Sequence, residues 1–100
     1  MSINTTAVLE NSAKRLFPDK TVEQVFAQLL LEWAQKNLIK YQSIARQFEV
    51  KYGQSFDTLR LKVLNSQPAF EIERDYFDWE LAMTGIADME NEIERLQNLG

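Results

Sequence analysis

Apolar residues recur along the chain at steps of three and four, the spacing that lines one side of an α-helix. Val22, Val25, Phe26, Leu29, Leu30 and Trp33 form a first stripe, and Tyr41, Ile44, Ala45, Phe48 and Tyr52 continue the periodicity. Phe56, Leu59, Val63 and Leu64 form a shorter one. The longest runs through Ile72, Tyr76, Trp79, Met83, Ile86, Met89, Ile93 and Leu96, close to a heptad repeat for most of its length. No window alternates β-branched and polar residues between Asn-Gly or Asp-Gly turns, as a hairpin requires. The pattern predicts an all-α fold, a small helical bundle of three to four helices with a long C-terminal one.

Local signals set the expected boundaries. Val8, Ser12, Ala13 and Leu16 predict a short helix within residues 1–17, frayed at its start and closed by Phe17-Pro18. Thr21 followed three residues later by Gln24 predicts a capping box, with Glu23 well placed in the first turn. That helix is expected to stop at Tyr52-Gly53, with Asn37 as a break or bend on the way. Ser55 is the expected N-cap of a shorter helix ending at Asn65-Ser66-Gln67-Pro68, and the last helix is expected from about Glu71 towards Leu99. Gly85 costs that helix about 1 kcal/mol relative to alanine and marks a place of close packing. Residues 1–100 are expected to form one domain.

A helix near that length spans about 40 Å, more than the diameter of a compact domain of this size. Part of its stripe is expected against the helix of Val22 to Trp33. The end from Met89 to Leu96 is expected to need a cover, either a second copy, giving a homo-oligomer, or a protein partner.

Composition narrows the chemistry. The chain has 100 residues, 45% of them hydrophobic, with neither cysteine nor histidine. Disulfides, thiolate nucleophiles, zinc-cysteine sites and the commonest general base are thereby excluded. Gly53, Gly85 and Gly100 are isolated, so no phosphate-binding loop is present. Glu71, Asp75 and Asp78 share one helix face, but a single row of carboxylates makes a poor metal site, and no metal or cofactor is expected. No enzyme is expected. The start Met1-Ser2-Ile3-Asn4-Thr5-Thr6 has no basic or long apolar stretch, and the run from Val25 to Ala34 is broken by Gln28 and Glu32. Neither signal peptide nor membrane span is expected, and the expected location is the cytoplasm.

Charge is unevenly placed. Residues 1–35 hold 3 basic and 4 acidic side chains, 36–62 hold 6 and 2, and 71–95 hold 2 and 9, so the nets run −1, +4 and −7. An acidic last helix favours a positively charged partner through association rate and specificity. The expected partner-binding residues are Trp79, Met83, Ile86, Met89 and Ile93, flanked by Asp75, Asp78 and Glu80. In Asp75-Tyr76-Phe77-Asp78-Trp79-Glu80 acid alternates with aromatic, so Phe77 or Trp79 is the expected exposed anchor. The alternative is nucleic-acid binding through the basic centre 36–62, with Lys51, Arg60 and Lys62 as contacts. Residues 43–62 loosely resemble a helix-turn-helix, but Glu49 stands where the turn glycine belongs and the chain is acidic overall.

The stretch from Lys40-Tyr41 through Phe48-Glu49-Val50-Lys51-Tyr52-Gly53-Gln54-Ser55-Phe56, then Asp75 to Glu80, resembles small helical antitoxin-like proteins. In these a helix ending in K-Y-G is followed by S-F and by an acidic-aromatic D-x-x-x-W-E helix. The resemblance covers residues 40–95. It implies a protein encoded beside a small toxin, often a ribonuclease or nucleotidyltransferase, which it sequesters by helix contacts.

Overall fold

The computed structural model describes residues 4–99, and among these it holds four helices and no strand: α1 (Thr5–Leu16), α2 (Val22–Tyr52), α3 (Phe56–Asn65) and α4 (Phe70–Gln97). α1 is the helix expected within residues 1–17; residues 1–3, where that segment starts, lie outside the described residues. No helix among them is long and apolar enough to cross a membrane.

Three of the four starts follow from side-chain chemistry at the first turn, whereas α4 begins at Ala69 with no side-chain cap and with Glu71 and Glu73 in its first turn. Asn4 accepts from the Ala7 amide, and Ser55 accepts from the Thr58 amide at 3.2 Å. At Thr21 the capping box is complete: its hydroxyl accepts from the Gln24 amide at 3.1 Å, and the Gln24 side chain accepts from the Thr21 amide at 2.9 Å. α2 ends at Gly53, whose φ of 61° is left-handed and whose amide reaches back to the Glu49 carbonyl. The break expected at Asn37 is absent. Its side-chain amide donates to the Trp33 carbonyl at 2.9 Å, and α2 continues unbroken.

α2 and α4 run antiparallel and make by far the largest contact, α3 lies against α4, and α1 touches α2. Lys51 meets Asp75 at one end, and Tyr41 meets Gly85 further along. The same register carries Met89, Ile93 and Leu96 alongside residues 30–38, and all three are half-buried. α2 itself is thus the neighbour of the stripe expected to need an outside cover, because α2 is as long as α4.

The core sits towards one end. Ala45, Leu59, Tyr76, Trp79 and Ala82 are buried together, with Ile44, Phe48, Tyr52, Phe56, Val63, Ile72 and Ile86 packed around them. Two departures from the expected pattern matter. On α4 the buried positions are Asp75, Tyr76, Trp79, Ala82 and Gly85, while Met83 stands at the edge, because small residues let α2 approach more closely than methionine would. On α2 the expected stripe is split: Val25 is buried, but Phe26, Leu29, Leu30 and Trp33 are 45–64% exposed. Val25 and the buried Ala34 lie about 100° to one side and about 80° to the other of the Phe26 line at 3.6 residues per turn. Neighbours that meet those two flanks leave the line between them open.

The outcome is an elongated molecule. Its radius of gyration is 20.1 Å and its extents are 59 × 35 × 18 Å, against about 13 Å for the radius of gyration of a compact chain of 100 residues.

Candidate interaction face

The residues expected to bind a partner divide into four groups. Trp79 is 1% exposed and is the anchor of the chain's own core. Its indole stacks on Phe48 and Tyr52 with ring centroids 5.8 and 6.3 Å away, and meets Phe56 edge-on at 5.5 Å. It has no surface to offer. Ile86 packs against that core, and Met89 and Ile93 are half-buried further along α4. Met83, Asp78 and Glu80 are exposed. Met83 lines two open grooves, one with Ile39, Gln42, Arg46, Glu49 and Ile86, the other with Phe56, Arg60, Glu80, Thr84 and Asp88.

Asp75 belongs to neither surface nor hydrophobic core. It is buried, and its carboxylate accepts from Lys51 Nζ and from the Tyr52 hydroxyl, each at 2.5 Å. Lys51 also donates to Glu71 at 3.2 Å and lies 5.6 Å from the Tyr52 ring centre. The hydrogen bond from Lys51, and then that from Tyr52, hold the Asp75 carboxyl below its ordinary pKa. The bond to Asp75 in turn raises the Lys51 ammonium. Desolvation first, and then the same carboxylate, raise the Tyr52 hydroxyl. Glu80, beside Tyr76, raises that phenol too.

This cluster pins the C-terminal end of α2 to the first turns of α4. It is a closed set, and no buried side-chain polar atom among the described residues lacks a hydrogen-bond partner. The carboxylate row Glu71, Asp75 and Asp78 is not free to converge, because its first two members are turned to Lys51. Among the described residues no group of three or more acidic side chains is placed to hold a metal ion.

The three expected nucleic-acid contacts are not brought together. Lys51 is engaged by Asp75 and Glu71. Arg60 opens on the groove beside Glu80 and Asp88, and Lys62 on another beside Tyr52, Val63 and Pro68.

What α4 does present outward is a second apolar line. Phe70, Phe77 and Leu81 follow at seven and four residues, share one face and are 53–79% exposed. Glu73, Asp78 and Glu80 flank them, all exposed. Of the two aromatics expected as anchor candidates, Phe77 is the exposed one and leans on Tyr76 with centroids 5.5 Å apart. Phe70 and Leu81 were hidden from the sequence pattern, since they fall outside the inward stripe; the alternation of acid and aromatic from Asp75 to Glu80 was the available signal.

No family model matches the chain, and no curated protein or solved structure is significantly similar to it.

Proposed function

We propose that this chain is a non-catalytic protein–protein interaction module that docks a basic protein on the outward face of α4. The fold is then a small helical bundle whose long last helix, acidic over residues 71–95, carries the contact surface. The observation that supports this most is the line Phe70, Phe77 and Leu81, exposed on one face and bordered by Glu73, Asp78 and Glu80. Apolar anchors within a ring of carboxylates match a partner with an apolar groove inside a positive field. The resemblance over residues 40–95 gives the partner a class, a small basic toxin held in the cytoplasm by this antitoxin-like protein. Phe77 and Leu81 supply buried area, while Asp78 and Glu80 speed encounter and fix register.

The test is recovery of tagged full-length chain from its native cell, with the mass and stoichiometry of the complex measured. A small basic protein in fixed ratio, weakened by salt, is expected. Phe77→Ala with Leu81→Ala should reduce its affinity at least 30-fold, the equivalent of about 2 kcal/mol for an interface anchor. Asp78→Asn with Glu80→Gln should mainly slow its association. A partner held equally well by both variants, or nucleic acid retained through Arg60 and Lys62, would overturn the reading.

A further inference from the structure

The exposed line on α2 lies on a different helix from the α4 face and has its own logic. Phe26, Leu29, Leu30 and Trp33 stand at i, i+3, i+4 and i+7, one side of two helical turns. With α1 and α4 already packed on α2, these four side chains remain 45–64% exposed. We propose that this line is a self-association surface, on which a second copy of the chain lays its own α2 antiparallel about a two-fold axis between Leu29 and Leu30.

Area supports a second copy. At about 200 Å² for an aromatic side chain and somewhat less for leucine, the line offers on the order of 400 Å² of apolar surface per chain. Two copies would bury roughly 800 Å², and at the apolar fraction of about 65% found in homodimers that corresponds to roughly 1,200 Å² in all. A stable interface begins near that size. The line is also nearly a palindrome. Reversed about its midpoint it sets Phe26 opposite Trp33 and Leu29 opposite Leu30, which gives the two-fold pairing large-on-large and leucine-on-leucine contacts.

Charge selects the direction. The chain as a whole is acidic, but residues 19–40 carry Asp19, Glu23 and Glu32 against Lys20, Lys36 and Lys40, a net of zero. Two copies therefore meet here without the repulsion their total charge would bring. Asp19 and Lys40 are equally far from the midpoint, as are Glu23 and Lys36. Antiparallel packing brings the acidic end of one line over the basic end of the other, whereas parallel packing stacks like on like. A strongly basic partner, by contrast, finds no acidic excess on this segment.

Sedimentation of the full chain at tens of micromolar is the test. The expected particle has twice the 11.7 kDa chain mass, and Leu30→Glu with Trp33→Glu should convert it to monomer with the helical circular dichroism unchanged. Because the native chain lacks cysteine, single cysteines report the pairing: L30C should cross-link to itself, F26C should not, and an equal mixture of F26C and W33C should form the mixed dimer. A monomer at these concentrations, a dimer indifferent to the glutamates, or self-linking by F26C each overturns the proposal. Variants in Phe77 and Leu81 should leave the dimer intact, which separates this surface from the α4 face.

Discussion

Tyr41 lays its ring against the bare backbone of Gly85, so closely that a Cβ on Gly85 would stand 2.7 Å from Cδ2 and 2.8 Å from Cγ of that ring. The contact runs along the Cγ, Cδ2 and Cε2 side of the ring rather than its hydroxyl tip, so the whole ring would have to move to clear a Cβ. It fixes how near α2 and α4 come at mid-length. Gly85→Ala would gain about 1 kcal/mol of helix propensity and lose about 1–3 kcal/mol to overpacking. Net destabilisation of about 1 kcal/mol is expected in urea melts. In a Tyr41→Ala background the same substitution should become stabilising, and that reversal distinguishes the steric cause from any other.

The Asp75 cluster sets the pH dependence of folding. The folded pKa of Asp75 is lowered by the bonds from Lys51 and Tyr52, so its contribution is present above the ordinary carboxylate pKa of about 4 and is lost as pH falls through the lower folded value. Lys51 and Tyr52 are raised; their contributions are complete below ordinary values of about 10 and are lost as pH rises through the folded ones. Asp75→Asn should cost about 1–3 kcal/mol at pH 7 by leaving the Tyr52 hydroxyl poorly matched. It should also flatten the acid limb of a plot of stability against pH. Urea melts across the acid and alkaline ranges check both.

How much of this was legible depends on how local each cause is. Thr21 with Gln24, Ser55 and Gly53 could be placed from sequence, because a cap is decided by the residues within one turn of it. Periodicity also placed Trp79 and Tyr76 on one stripe, but Trp79, expected to reach a partner, is buried in the chain's own core. It could not say which neighbour would cover which side of α2, so Phe26 and Trp33 looked as buried as Val25. Nor could it see that Ala82 and Gly85, with almost no side chain, would take the place expected of Met83. The polar triad of Lys51, Tyr52 and Asp75 needed the register of α2 against α4, a relationship across more than twenty residues that no local pattern records.

The two tryptophans should behave as opposites. Trp79→Ala removes a fully buried indole from three aromatic contacts and is expected to cost about 3–5 kcal/mol. Trp33→Ala, in chain dilute enough to be monomeric, should stay within about 0.5 kcal/mol of the native protein. Fluorescence makes the contrast direct: Trp33→Phe, leaving Trp79, should emit in the blue as a buried indole does, and Trp79→Phe, leaving Trp33, should emit in the red at low concentration.

Gly53 and Gly85 offer the sharpest contrast between two reasons for glycine. At Gly53 nothing lies within 4 Å of where a Cβ would be, but φ is 61°. The strain of Gly53→Ala is therefore entirely in the backbone, about 1–2 kcal/mol for a left-handed L-residue. Asparagine tolerates that conformation, so Gly53→Asn should recover most of the loss, whereas Gly85→Asn should be worse than Gly85→Ala because its larger side chain meets the same ring. Denaturant midpoints of the four variants test this directly. Equal costs for alanine and asparagine at position 53 would mean that the turn between α2 and α3 is held by something other than the left-handed cap, and that Ser55, two residues on, carries the junction through its bond to the Thr58 amide.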